Sequence, residues 1–207
     1  MINLYIDTSS SYLYSALIKD KKILQEVKEN YGQKLSVEAL PQIIKLFEKA
    51  SITPKDIEKI FVVVGPGSFT GIRIGVTIAK TMAFSLKKSI IPVSSLKAMA
   101  ISARKDTPYI MPLIDARRGY VYGAVYDKNM KEVVKEQHIL LTELVDKVPD
   151  TYSVISNDQL PVTVSREEYD PDILKIVTFY DSEKPISPHL VNPNYLKRTE
   201  AEEKHGV

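Results

Sequence analysis

The chain contains no cysteine. That excludes a disulfide framework, a thiolate metal site and a cysteine nucleophile. Histidine is almost as scarce. His138, His189 and His205 are isolated, and none has the i, i+4 partner that places two metal ligands on one helical face. Net charge is only +2, which is no footprint for broad nucleic-acid binding, so contact with RNA is expected to be local or shared with a partner. No apolar run approaches the ~18 residues that a membrane span needs. No serine sits in a nucleophile elbow, and no acidic pair has the spacing of a general acid and base. These gaps leave no catalytic residue and no metal ligand to nominate. The chain opens directly on a strand-like run with no basic leader, so the expected location is cytoplasmic, without membrane contact.

What is present is organised around Gly65-Pro66-Gly67-Ser68-Phe69-Thr70-Gly71-Ile72-Arg73-Ile74-Gly75. The β-branched run Ile60 to Val64 before it reads as a buried strand, and the long apolar segment after it as a helix. The stretch lacks the Gly-Lys-Ser/Thr ending of a P-loop. It also misses the G-x-G-x-x-G spacing, because Thr70 stands where the third glycine would be. Downstream, Gly71, Gly75, Ala79 and Ala83 recur every four residues as a narrow stripe. Ile72, Val76, Ile78, Met82 and Leu86 cover much of the remainder. A helix apolar nearly all round is buried on more than one side. The stripe is therefore expected to admit a second helix, from this chain or from a partner.

The opening run Ile2 to Ser9 places Asp7 at a strand end, followed by the hydroxyls Thr8 and Ser9. One reading is a turn carboxylate bonded to its own backbone. The other is an acid facing a phosphate cleft, with Thr8, Ser9, Gly65, Gly67 and Ser68 as vestigial cleft residues. Tyr12–Ile18 and Ile23–Val27 complete a three-stranded meander. Ser36 to Ala50 reads as a helix capped by Ser36, with Leu40, Ile43, Ile44 and Phe47 on one stripe and Pro41 as a kink or a late start. Thr53 caps a short turn opened by Pro54. Ser94 or Ser95 caps a helix through Ala103. Tyr109–Ile114 begins a second half that loosely repeats the opening meander, and Ile173–Phe179 is compatible with helix or strand.

These residues resemble the TsaB (YeaZ) family. Ile6-Asp7-Thr8-Ser9 matches its opening, and the glycine-rich stretch matches its most recognisable motif in full. Asp115-Ala116-Arg117, with Gly119 and Tyr122, matches the start of its second lobe. Pro193-Asn194-Tyr195-Leu196-Lys197-Arg198, with Ala201-Glu202, matches its C-terminal signature, although the family usually has Arg where Lys197 stands. A second departure is Leu35-Ser36-Val37 before Ala39-Leu40-Pro41, where the family commonly has His-Ser-Glu before Leu-Leu-Pro.

The resemblance implies an α/β actin-like ATPase (ASKHA, ribonuclease H-like) fold, in two lobes that each carry a mixed sheet and helices. The expected division is 1–106, 107–187, and a segment 188–207 returning to the first lobe. The implied function is that of a non-catalytic subunit. It pairs with TsaD, and with TsaE, for N6-threonylcarbamoylation of the tRNA adenosine 3′ of the anticodon. It touches tRNA indirectly and self-associates when alone. The pairing is expected to use the first two long helices, with Ser36, Leu40, Ile44, Phe47, Gly71, Ile72, Gly75, Ala79, Met82 and Ala83 at the interface. No intrinsic cofactor is expected, and ATP or ADP only at the level of the complex. The alternative is a small actin-like ATPase or kinase with Asp7 as its cleft acid.

Overall fold

The computed structural model describes residues 1–148 and 151–197. Arg198, Ala201 and Glu202 of the C-terminal signature, and His205, lie outside these residues. Among the described residues, ten strands form two five-stranded sheets.

In the first sheet, β1 (Ile2–Asp7), β2 (Tyr12–Lys19) and β3 (Lys22–Asn30) make the meander. Parallel strands β4 (Ile57–Gly65) and β5 (Ser89–Ser94) join on the other side of β1, giving the order β3-β2-β1-β4-β5. The second sheet repeats this order with β6 (Tyr109–Asp115), β7 (Tyr120–Asp127), β8 (Glu132–Leu140), β9 (Tyr152–Ile155) and β10 (Arg166–Glu167), arranged β10-β9-β6-β7-β8. The near-continuous apolar character of β1 and β4 follows from burial on both faces of the sheet.

Helix α1 (Leu35–Ala50) runs through Pro41 as a single element. Pro41 and Val37, the residue four earlier whose carbonyl loses its helical donor, are both exposed, so the missing bond falls on the solvent side of the helix, where it costs least. Ser36 does not cap this helix. A short 3-10 turn, Gly32–Lys34, leads into it, and Ser36 lies within its first turn. The turn Pro54–Asp56 has the expected start, with Thr53 N–H and Oγ1 both donating to Asp56 Oδ2 at 2.7 and 2.8 Å.

Helix α2 (Phe69–Leu86) crosses from β4 to β5, and α3 (Ser95–Ser102) follows β5, capped by Ser94. Leu96, Met99 and Ala100 of α3 form a cluster with Ile110, Ala124, Tyr126 and Ile155, which joins the two lobes. Helix α4 (Leu141–Val145) lies on the second sheet. Ile173–Tyr180 is a helix, α5, capped by Asp172, which accepts from Lys175 N at 2.9 Å. Its Ile173, Ile176, Val177 and Tyr180 pack with Tyr5, Phe61 and Val93 of the first sheet. The chain therefore returns to the first lobe at α5.

Candidate functional site

The glycine-rich stretch joins three distant parts of the chain. Thr8 is fully buried, and its Oγ1 donates to Gly71 O at 2.7 Å. Ser68 N donates to Ser9 O at 2.7 Å, and Ser68 Oγ caps α2 by accepting from Gly71 N at 3.2 Å. A Cβ on Gly71 would lie 2.1 Å from Thr8 O, and one on Gly67 2.3 Å from Ser9 O. The end of β1 and the start of α2 thus meet backbone against backbone, which leaves no space for a phosphate between them. Gly65, at φ 111°, takes a conformation that favours glycine, and a Cβ there would stand 2.9 Å from Asn194 O. Asn194 N in turn donates to Val64 O at 2.7 Å. The C-terminal signature and the glycine motif are therefore one contact. Arg73 extends it: its guanidinium lies 3.7 Å over the Phe69 ring, and its Nε donates to Tyr195 Oη at 2.7 Å.

Between the lobes lies a cleft of about 650 Å³. Of the six cleft residues expected from the sequence, Ser9 and Ser68 line it; Asp7, Thr8, Gly65 and Gly67 are not among its lining residues. Asp7 is 1% exposed, and its Oδ1 accepts from Ser9 N at 2.8 Å. The reading of Asp7 as a turn carboxylate bonded to its own backbone describes this contact. Burial pushes the Asp7 carboxyl above its ordinary value, against the opposing pull of the Ser9 N–H. Burial likewise holds the phenols of Tyr5 and Tyr169, close to Asp7, well above theirs. The charged lining of the cleft is Asp115, Asp158, Glu168 and Asp170 against Lys28, and Lys28 is already paired with Asp170 at 3.2 Å. The lining therefore carries more negative than positive side chains.

The small-residue stripe faces inward, into the core of this chain. Gly71, Gly75, Ala79 and Ala83 are all buried, Ala79 and Ala83 in a core cluster shared by the first sheet and by Ile43, Leu46 and Phe47 of α1. A Cβ on Gly75 would stand 2.4 Å from Thr8 Oγ1 and 3.5 Å from Ile6 Cγ2. Ile72 and Phe47 are core residues as well, and Met82 is half-buried on the same cluster. These seven positions hold the first lobe together. Six of them are buried, and Met82 keeps a partly exposed side.

Three of the expected interface residues are exposed, Ser36, Leu40 and Ile44, and Met82 is partly so. The stripe expected on α1 divides. Ile43 and Phe47 enter the core, while Leu40 and Ile44 remain 45% and 46% exposed. Val37, 71% exposed, extends them at i, i+3, i+7 spacing as a narrow apolar flank. That spacing is visible in the sequence, and Val37 is the residue the sequence reading missed. Helix α2 packs beside α1 through Ile74 and Ile78 against Leu35 and Ala39. It contributes Phe69 and Phe84 to the surface, with Phe84 edge-on to His189 at 5.5 Å.

Two sheets of matching strand order, joined through α3 with a cleft between them, define a two-lobed α/β protein of the actin-like (ASKHA) class. The family model described as "TsaD: tRNA N6-adenosine threonylcarbamoyltransferase" matches residues 22–176. The Bacillus subtilis tRNA threonylcarbamoyladenosine biosynthesis protein TsaB is 39% identical over 153 residues, 72% of this chain and 67% of that protein. TsaB of Buchnera aphidicola (subsp. Schizaphis graminum) is 36% identical over 130 residues, 62% of this chain and 61% of that protein. A Pseudomonas aeruginosa crystal structure, described as similar to peptidase YeaZ, superposes with TM-score 0.82 at 22% identity, covering 95% of this chain and 99% of that one. The chain belongs to the TsaB (YeaZ) family. Among the described residues no helix is long and apolar enough to cross a membrane.

Proposed function

We propose that this chain is a docking subunit of the machinery that makes N6-threonylcarbamoyladenosine in tRNA. It pairs with a TsaD-type transferase, and through it with TsaE, and supplies no transfer site of its own. In the absence of that partner the same face pairs two copies of the chain. The observation that carries this reading is the exposed flank Val37, Leu40 and Ile44 on α1, beside the helix that presents Phe84. An apolar stripe left outside a well-filled core marks a protein contact, because its burial against a partner is favourable and the monomer does not use it. The acidic cleft, with its one lysine already ion-paired, supports a role other than phosphoryl transfer.

The test is co-elution of the purified chain with a TsaD-type protein on size exclusion. The double variant Leu40→Glu/Ile44→Glu is expected to elute alone. Its Tm should shift by no more than about 4 °C, since surface substitutions at two exposed positions change stability little. Undiminished co-elution of that variant overturns the assignment of the face.

A further inference from the structure

The turn between β6 and β7 carries two arginines in an unusual backbone. Arg117 and Arg118 have φ of 69° and 55°, and Gly119 follows at 80°. Residues with side chains rarely adopt this left-handed region, and Asn or Gly would fit more easily. Both arginines are exposed, and neither guanidinium is ion-paired among the described residues. The nearby Asp115 carboxylate instead accepts from Arg117 N at 2.8 Å. The turn is closed by Tyr120 N donating to Arg117 O at 3.0 Å, so Tyr120 sits directly beside the pair. One face of the Tyr120 ring stacks on His138, with centroids 4.8 Å apart and planes 5° from parallel. Tyr122 supports His138 from the next position along the same side of β7, at 5.4 Å. Tyr120 itself remains 39% exposed, so part of the side chain stays open to solvent beside that stack.

We propose that this corner is a contact site for single-stranded RNA. An unpaired loop nucleotide stacks on the outer face of Tyr120, and Arg117 and Arg118 take the phosphates that flank it. A pre-stacked aromatic face is how proteins hold splayed RNA bases without reading their sequence, and the guanidinium fork suits phosphate oxygens. The small net charge of +2 accords with a site of this size rather than a broad basic surface. The inference rests on the tRNA-modification role proposed above, and it adds a direct RNA contact to it.

The test is fluorescence anisotropy of the full chain with a labelled RNA hairpin bearing an open loop. The control is the same stem closed by a compact tetraloop. Tyr120→Ala should weaken binding of the open loop by about 5- to 150-fold, and Tyr120→Phe should restore it. Arg117→Ala/Arg118→Ala should weaken it further and lower the slope of log affinity against log salt by about 1.4, for two phosphates on a single strand. Equal binding of both hairpins, unchanged affinity in the arginine variant, or no salt-sensitive binding by the full chain overturns the proposal. Competition by ATP as strong as by the open-loop RNA also overturns it, in favour of a nucleotide pocket. Pairing with the TsaD-type protein is scored separately by co-elution, so failure of the docking role and failure of the RNA contact are told apart.

Discussion

The two lobes share one strand order but cover their sheets differently. In the first, the connection from β4 to β5 is α2, an 18-residue helix whose glycines press onto β1. In the second, the connection from β9 to β10 contains no helix. Leu160, Val162 and Val164, together with the five-residue α4, pack over that sheet instead. A helix laid directly on a strand needs missing side chains at the contact. A sheet covered by side-chain ends has slack, because those ends can shift. The same frame thus gives one lobe whose core is rigid at the backbone level and another whose core can adjust. The rigid lobe presents the α1 flank, and the adjustable lobe presents the Arg117–Tyr120 corner.

Glycine substitutions test this contrast most directly. Gly71→Ala adds a methyl group 2.1 Å from Thr8 O, a backbone atom that cannot swing away. The helix propensity gained is about 1 kcal/mol, whereas forcing α2 off β1 is expected to cost about 3 kcal/mol or more. The variant should unfold at markedly lower urea concentration than the parent, or fail to accumulate folded. Thr8→Val keeps the shape but removes the donor to Gly71 O, with an expected loss of about 1–2 kcal/mol in the same titration. In the second lobe, the Cβ of Gly123→Ala would meet Leu144 Cδ2 at 2.5 Å and Leu113 Cδ2 at 3.0 Å, both tips of flexible side chains. That variant should lose about 1 kcal/mol. Equal losses for Gly71→Ala and Gly123→Ala would break the distinction between the lobes.

The smallest effect concerns Asp7. Its carboxyl is raised by burial, so the folded chain holds this proton more tightly than the unfolded one. Stability therefore falls as pH rises from the ordinary carboxylate range through the raised value, and the loss is complete above it. Asp7→Asn retains an acceptor for Ser9 N without the buried charge. Its Tm should exceed that of the parent by a few degrees at pH 8, with the difference shrinking as the pH falls towards 4. A Tm below the parent's at pH 8 would show that the charge is stabilised by its surroundings.

Much of the frame was legible because its signals are local. Alternation and β-branched runs marked β1, β4 and β6, and Thr53-Pro54 marked a capped turn. The second sheet's resemblance to the opening meander could also be read from its run of short strands. Ile173–Phe179 is ambiguous in the sequence, since seven residues of mostly apolar sequence fit a buried strand as well as a helix. The cap of α1 was misread because serine at the start of an apolar period looks the same whether it precedes the helix or lies in its first turn. The exposure of the expected docking positions was legible in part. Leu40 and Ile44 are exposed as expected, but the glycine and alanine positions of α2 are not.

The sequence by itself determined that Gly71, Gly75, Ala79 and Ala83 share one face of α2, because spacing defines a face. It also determined the family, through motifs distributed along the chain. Only the tertiary structure decided that this face turns inward onto β1. The deciding contact, Thr8 Oγ1 to Gly71 O, links residues 63 apart in sequence. Close approach between a strand and a helix depends on where the whole sheet places them, which no local pattern records.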